Sequence, residues 1–201
     1  VVSKTFPEFW DKLNSIGVET ESSERSPNLV LIGMRGSGKS TIARLLSKLL
    51  KKEHVELDVL IERQAGMSIK DIVEKNGWEH FRDLETKLVK EISANDGAVV
   101  STGGGIVTRT ENIEAIKRNG LCIFLSAPAA VLVGRLREDD SKRPRLTGEA
   151  SLQEEMEKLF ADRDELYRAA ADETLDTGAA SPEMVVEEIV ARLKERGIID
   201  K

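Results

Sequence analysis

The amino-acid sequence predicts an α/β domain organised around a parallel β-sheet. From Pro27 onward, short apolar runs that are typical of buried strands alternate with segments that have helical periodicity. Strands that are separated by helices form βαβ units, and such units build a parallel sheet. A glycine-rich segment follows the first run directly, which indicates a ligand site at the carboxyl end of the sheet. The strand-like runs span residues 29–32, 54–57, 98–101, 121–126 and, more weakly, 173–176.

Residues 1–26 are predicted to lie outside this domain, which extends over residues 27–201. In the segment 4–17, apolar side chains at helical spacing predict an amphipathic helix, and the polar segment 19–28 predicts a linker. The helix either packs on the domain or docks onto an unknown partner. Packing is favoured because an apolar face tends to be buried against the nearest core. The apolar side chains of this helix are Phe6, Phe9, Trp10, Leu13 and Ile16.

The first strand-like run leads into GMRGSGKS at residues 33–40, which fits the P-loop pattern G-x-x-x-x-G-K-[ST]. Glycines allow such a loop to curl so that several backbone N–H groups face one anion, and the dipole of the following helix favours the same anion. Lys39 is expected to contact the β- and γ-phosphates of a nucleoside triphosphate, and the Ser40 hydroxyl to bind Mg²⁺ directly. A glycine turn with an unrelated lysine is the alternative. The predicted nucleotide contacts are Met34, Arg35, Gly36, Ser37, Gly38, Lys39, Ser40 and Thr41.

Two acidic side chains, Glu56 and Asp58, lie at the end of the second strand-like run. Alternate residues of a strand face the same side, so both carboxylates are predicted to point towards the phosphate site. There they would hold the waters of Mg²⁺ or accept a proton from a hydroxyl. Alternatively, Asp58 caps the helix that follows, which is a common role of aspartate.

Three further groups lie in the later part of the chain. The glycine triplet 103–105 predicts either a close approach of the backbone to a ligand or a simple turn. Arg82 lies at the edge of an apolar helical stripe, and Arg163 lies in register with another. An inward-facing arginine needs a carboxylate or a bound anion as its partner, unless it extends past its neighbours to water. The stripe beside Arg163 comprises Leu152, Met156, Leu159, Phe160, Leu166, Tyr167 and Ala170.

The segment 137–151 is densely charged and has no periodicity. It predicts a mobile surface loop. In the more specific interpretation the loop is a lid, in which Arg143 or Arg145 closes on phosphates. A solvated loop without a function is the alternative.

Composition limits the class of protein. The 201 residues include 30 Lys and Arg against 36 Asp and Glu, a formal net charge of −6, which argues against nucleic acid or an anionic membrane as a partner. The single cysteine, Cys122, lies in an apolar run, which predicts a buried strand residue, a reducing compartment and a cytoplasmic location. Because the chain begins with Val1, an organelle after loss of a targeting peptide is the alternative location. The longest apolar stretch, 121–134, is too short to span a bilayer.

The chain resembles the shikimate kinase family in five segments that span about residues 27–196. They are LIGMRGSGKST, VELDVLIERQAGMSIKDIVEKNGWEHFRDLE, VVSTGGGIV, SKRPRL and ADRDELYRAAAD. The resemblance implies a five-stranded parallel sheet flanked by helices, in a P-loop NTPase fold of the nucleoside monophosphate kinase type with a mobile lid. It also implies transfer of the γ-phosphate of ATP to the 3-hydroxyl of shikimate. We expect ATP and Mg²⁺ to be required, and we expect the protein to be a monomer.

The same resemblance implies roles for particular residues. Asp58 would bind the shikimate hydroxyl, and Arg82 and Arg163 would hold the shikimate carboxylate. Gly104 and Gly105 would contact shikimate, while Gly103 would lie near the γ-phosphate. Arg143 of the lid would reach ATP, and Arg135 would lie near the adenine. The implied catalytic residues are Lys39, Asp58 and Arg143.

The chain departs from the family pattern at three points, one of which is a segment between Arg135 and Arg143 that is one residue longer. Glu56 stands where the family usually has aspartate, which keeps the negative charge on a longer side chain, and the lid has RPRL where a second leucine is common after the proline. Two other functions are considered. One is a gluconate-kinase-like enzyme for another polyol, and the other is a nucleotide-binding regulator that recruits a partner through its N-terminal helix. The intact set of charged site residues argues against a regulator.

Overall fold

A computed structural model describes residues 26–137 and 151–200. The predicted N-terminal helix, most of the predicted linker, and lid residues 138–150 with Arg143 and Arg145 lie outside the described residues. The described elements are, in chain order, β1 (Asn28–Ile32), α1 (Lys39–Leu50), β2 (Glu53–Glu56), α2 (Leu57–Ala65), α3 (Ile69–Ile92), β3 (Ala98–Ser101), a 3-10 helix (Ile106–Thr108), α4 (Thr110–Lys117), β4 (Gly120–Ser126), α5 (Ala129–Arg137), α6 (Leu152–Ala170), β5 (Glu173–Asp176) and α7 (Pro182–Glu195).

The five strands form one parallel sheet in the order β2-β3-β1-β4-β5. The central strand β1 pairs with both neighbours, so that Val30 lies opposite Val100 of β3 and Cys122 of β4. Cys122 is fully buried in β4 as a free thiol, as its apolar surroundings predict. The predicted α/β class and parallel five-stranded sheet are therefore confirmed.

Apolar side chains pack on both faces of the sheet, because alternate strand residues point to opposite sides. Leu29 and Leu31 of β1 belong to a core shared with α1 and α7. Val30 and Ile32 belong to the opposite core, to which α2 through α6 contribute side chains. Each face of the sheet is thus covered by helices, which is typical of a parallel sheet.

The second strand ends earlier than the sequence pattern predicts. β2 stops at Glu56, and Leu57 begins α2 with its side chain fully buried. The expectation that Glu56 and Asp58 are alternate residues of one strand is therefore wrong. The backbone turns into a helix where Leu57 enters the core, which places Asp58 in the first turn of α2. The carboxylate at Asp58 thus lies at a helix N-terminus, where negative charge is favoured.

Helix α6 begins at a capping box, in which the Ser151 hydroxyl accepts from the Glu154 N–H and the Glu154 carboxylate accepts from the Ser151 N–H. Its inward face agrees with the predicted stripe except at Leu166, which is 43% exposed. The neighbouring residue Tyr167 takes the inward position and is fully buried. None of the described helices is both long enough and apolar enough to cross a bilayer.

Candidate active site

The P-loop connects β1 to α1 at the carboxyl end of the central strand. Gly38 precedes α1 with a φ of 91°, in the left-handed region that favours glycine. A Cβ atom on Gly33 would lie 2.5 Å from the carbonyl oxygen of Leu125 in β4, so no side chain fits there. No side chain caps α1 at Gly38, which leaves the first backbone N–H groups of the helix for an anion.

Lys39 is largely buried and folds back over the loop. Its ammonium group donates to the carbonyl oxygens of Gly33 at 2.9 Å and Met34 at 2.8 Å. The lysine charge is therefore held against the loop backbone, beside the N-terminus of α1. This arrangement concentrates positive potential at the point where the P-loop pattern predicts phosphates.

A cleft opens beside the loop, and we call it the nucleotide cleft. Six of the predicted nucleotide contacts line it, together with the acidic pair Glu56 and Asp58. Two others lie elsewhere, because Met34 faces a second cavity and Ser37 faces a smaller pocket that adjoins the loop. The six are Arg35, Gly36, Gly38, Lys39, Ser40 and Thr41.

Arg135 of α5 lines the nucleotide cleft, where its Nη1 atom lies 3.4 Å from the carbonyl oxygen of Gly36 in the P-loop. Its guanidinium donates to the Thr177 hydroxyl at 3.2 Å and also to the Thr177 carbonyl oxygen. Thr177 follows β5 and is itself buried. The sequence pattern does not single out Thr177, since an isolated threonine after a weak strand has no distinctive signal.

A second cavity adjoins the nucleotide cleft, and we call it the arginine pocket. It brings together all five residues that were predicted to contact shikimate, although they come from four separate segments of the chain. Arg35, Asp58 and Gly104 line both cavities, so the two form one continuous site. The five predicted residues are Asp58, Arg82, Gly104, Gly105 and Arg163.

The buried carboxylate of Glu85 in the arginine pocket was missed by the sequence analysis. Glu85 is fully buried and forms an ion pair with Arg82, one turn earlier on α3. Burial raises the pKa of Glu85, and the nearby guanidinium of Arg82 opposes this rise. The Oε1 atom of Glu85 has no hydrogen-bond partner among the described residues. The available signal was the i, i+3 spacing of an arginine and a glutamate in FRDLE, which is equally typical of an exposed helix pair.

The glycine triplet lies against these charged side chains. A Cβ atom on Gly103 would lie 2.5 Å from Glu85 Oε1 and 3.2 Å from Asp58 Oδ1. A Cβ atom on Gly105 would overlap the guanidinium of Arg82. A side chain at either position would therefore displace a charged group of the pocket. This packing favours the interpretation in which the backbone approaches a ligand closely over that of a simple turn.

Arg163 reaches the pocket from α6. Its Nη1 atom donates to the Gly104 carbonyl oxygen at 3.1 Å, and no carboxylate of the described residues lies within ion-pair distance. Arg82 is more constrained, since it also lies over the rings of Trp78 and Phe81 at 5.7 and 5.2 Å. The pocket thus offers two guanidinium groups on facing elements, an arrangement that suits a bound carboxylate.

Known proteins of one family match this chain over most of its length. A family model described as shikimate kinase matches residues 35–194. Shikimate kinase 2 of Enterobacter sp. (strain 638) is 40% identical over 168 residues, which cover 83% of this chain and 95% of that protein. Shikimate kinase of Pseudomonas syringae pv. tomato is 42% identical over 168 residues, covering 84% of this chain and 96% of the relative.

Solved structures lead to the same family. Shikimate kinase from Acinetobacter baumannii in complex with shikimate superposes with a TM-score of 0.80 and 32% identity, covering 85% of this chain and 94% of that one. A gluconokinase from Sinorhizobium meliloti reaches a TM-score of only 0.52 at 19% identity, over 86% of this chain and 97% of its own, and shows a shared fold alone. The sequence segments, the parallel sheet and these matches together show that the chain belongs to the shikimate kinase family.

Proposed function

We propose that this protein is a shikimate kinase, which transfers the γ-phosphate of ATP to the 3-hydroxyl of shikimate and yields shikimate 3-phosphate and ADP. Membership of the family supports this activity. The structural observation that carries it is the position of Asp58, at the wall shared by the nucleotide cleft and the arginine pocket. A hydroxyl bound there would lie next to the phosphate-binding loop, as an in-line transfer requires.

On the nucleotide side, the loop backbone, the N-terminus of α1 and Lys39 would hold the phosphates of ATP. Arg135 would lie beside the adenine, and Arg143 of the lid would contact ATP. The Ser40 hydroxyl lines the cleft, 3.4 Å from the Ser101 hydroxyl. The Oε1 atom of Glu56 is buried there without a hydrogen-bond partner among the described residues.

These oxygen atoms fit a magnesium ion. Ser40 would bind the ion directly, while Glu56 and Asp58 would hold its waters, an incomplete protein shell of the kind Mg²⁺ prefers. When bound, Mg²⁺ neutralises charge on the phosphates during the transfer. We further propose a monomer in the cytoplasm, supported by the acidic net charge and by the single, buried cysteine.

On the acceptor side, the shikimate carboxylate would lie between Arg82 and Arg163, and Asp58 would orient the 3-hydroxyl or accept its proton. The Arg82–Glu85 ion pair keeps one guanidinium in place before the substrate arrives. A substrate without a carboxylate would leave both guanidinium groups without their proposed anion, which would favour acids over neutral polyols.

A coupled assay of ADP release tests this function. With Mg²⁺ and ATP, we expect rapid release when shikimate is the acceptor and only background release with gluconate or without an acceptor. Turnover of gluconate alone would point to the polyol kinase, and absence of turnover with either acceptor would favour a nucleotide-binding regulator.

Replacement of Arg163 by alanine should raise the KM for shikimate about ten- to a hundredfold, because a charge-assisted contact of roughly 1.5–3 kcal/mol is lost. The KM for ATP should stay nearly constant. The melting temperature of the free protein should also hold, since Arg163 pairs with a backbone carbonyl rather than a buried carboxylate.

The matched control is Arg168→Ala, which removes a 56% exposed arginine from the same helix. Its pair with Asp164 is a surface contact, and neither kinetic constant should change. A large loss of stability in Arg163→Ala with an unchanged KM for shikimate would rule out the substrate contact.

A further inference from the structure

Tyr167 is a buried tyrosine of α6 that does not line the arginine pocket but contacts Gly104, which does. Its ring is fully buried and stacks on Phe124 of the sheet, with ring centres 5.0 Å apart and an interplanar angle of 14°. Its hydroxyl donates to the carbonyl oxygen of Gly104. A rigid side chain that is anchored on the sheet therefore reaches the middle of the glycine triplet.

The Gly104 carbonyl oxygen accepts a second hydrogen bond, from Arg163 Nη1 at 3.1 Å. One oxygen atom thus joins Tyr167 to the arginine that is proposed to hold the carboxylate. Gly104 also lies close to the P-loop, since a Cβ atom there would be 3.5 Å from the Arg35 nitrogen and 3.6 Å from the Gly33 oxygen. The peptide at Gly104 therefore lies between α6 and the phosphate-binding loop.

Three consecutive glycines have wide backbone freedom and no side chains to restrict it. The triplet consequently needs an external contact to hold the Gly104 carbonyl in one orientation. Burial raises the pKa of the Tyr167 hydroxyl to about 12, so the group stays protonated at physiological pH and remains a hydrogen-bond donor.

We propose that Tyr167 is a positioning residue for the acceptor site. Its hydroxyl holds the Gly104 carbonyl in one orientation, and this carbonyl in turn holds the guanidinium of Arg163. The inference rests on the proposed function, because Arg163 is taken to bind the shikimate carboxylate. Tyr167 itself contacts neither substrate and acts only through Gly104.

The Tyr167→Phe variant tests the proposal, because it retains the stacked ring and removes one hydroxyl. We expect the KM for shikimate to rise about three- to tenfold, the effect of one weakened neutral hydrogen bond, while the KM for ATP stays constant. The control is Ser47→Ala, which removes a buried hydroxyl that donates to the Arg44 carbonyl at 3.0 Å on α1. Ser47 lines neither cavity, so this variant should be slightly less stable with both KM values unchanged.

A double-mutant cycle separates a positioning role from a structural one. If Tyr167 acts through Arg163, then Tyr167→Phe should have no further effect on shikimate binding in the Arg163→Ala background. Additive effects would overturn the proposal, as would equal changes in the KM values of both substrates. An unchanged KM for shikimate in a folded Tyr167→Phe protein would also overturn it.

A second measurement does not require a substitution at Tyr167. Tyr167 is the one tyrosine of the chain, so growth on 3-fluorotyrosine labels this position alone. Shikimate should shift the ¹⁹F resonance, and the shift should be lost in Arg163→Ala at saturating shikimate. A resonance that shikimate leaves unchanged in the wild-type protein would overturn the inference. Wild-type protein that fails to phosphorylate shikimate would instead overturn the proposed function itself.

Discussion

Replacement of Lys39 by alanine is expected to give a folded protein without measurable turnover. The ammonium group lies against the P-loop backbone, where it would neutralise charge on the β- and γ-phosphates during the transfer. The variant also loses hydrogen bonds to the Gly33 and Met34 carbonyl oxygens, so a small decrease in melting temperature should accompany the loss of kcat.

The matched control for this experiment is Lys48→Ala, which removes an exposed lysine from the last turn of the same helix. Its kcat and melting temperature should remain close to those of the wild-type protein. Near-normal kcat in Lys39→Ala, measured by coupled ADP release, would contradict the assignment of the loop to phosphate binding.

Replacement of Asp58 by asparagine should lower kcat by about 10²- to 10⁴-fold, the usual size of a general-base or hydroxyl-orienting contribution. The fold should be nearly unaffected. Asparagine is almost equal to aspartate at a helix N-terminus, so a purely structural role of Asp58 predicts normal activity instead.

Asp71→Asn provides the control, because Asp71 lies in the first turn of α3 just as Asp58 lies in the first turn of α2. Asp71 is half-buried, lines neither cavity, and its backbone N–H donates to the Ser68 hydroxyl. The control variant should retain kcat, so that a loss specific to Asp58→Asn measures chemistry rather than helix capping. Equal activity of the two variants would remove Asp58 from the mechanism.

The parallel sheet could be predicted from sequence because buried parallel strands are short apolar runs. The runs 98–101 and 173–176 coincide with β3 and β5, β1 and β4 each begin one residue before the predicted run, and β2 is displaced from its run by one residue at both ends. The error with the largest consequence lies at Leu57, where the apolar pattern cannot distinguish the last residue of a strand from the first of a helix. Leu57 is fully buried in the core and begins α2, so Asp58 lies in the first turn of a helix and not in a strand.

Candidate site residues could be predicted from sequence when their residue type is unusual for its position. Arg163 lies on an apolar helical stripe, and three glycines directly follow a strand. Glu85 and Tyr167 carry no such signal. A glutamate one turn after an arginine is typical of helix surfaces, and a tyrosine on an apolar face is typical of a core. Their proposed roles depend on contacts that form only where α3, α6 and the glycine triplet meet in three dimensions.

The shared wall of the two cavities has a consequence for inhibitor design. Because the nucleotide cleft and the arginine pocket meet at Asp58 and Gly104, a single molecule could occupy both. A cyclic carboxylic acid that is joined by a short linker to a phosphate chain would bind as a bisubstrate ligand. Its second half would then bind intramolecularly at a high effective concentration, so its affinity should exceed that of either half by orders of magnitude.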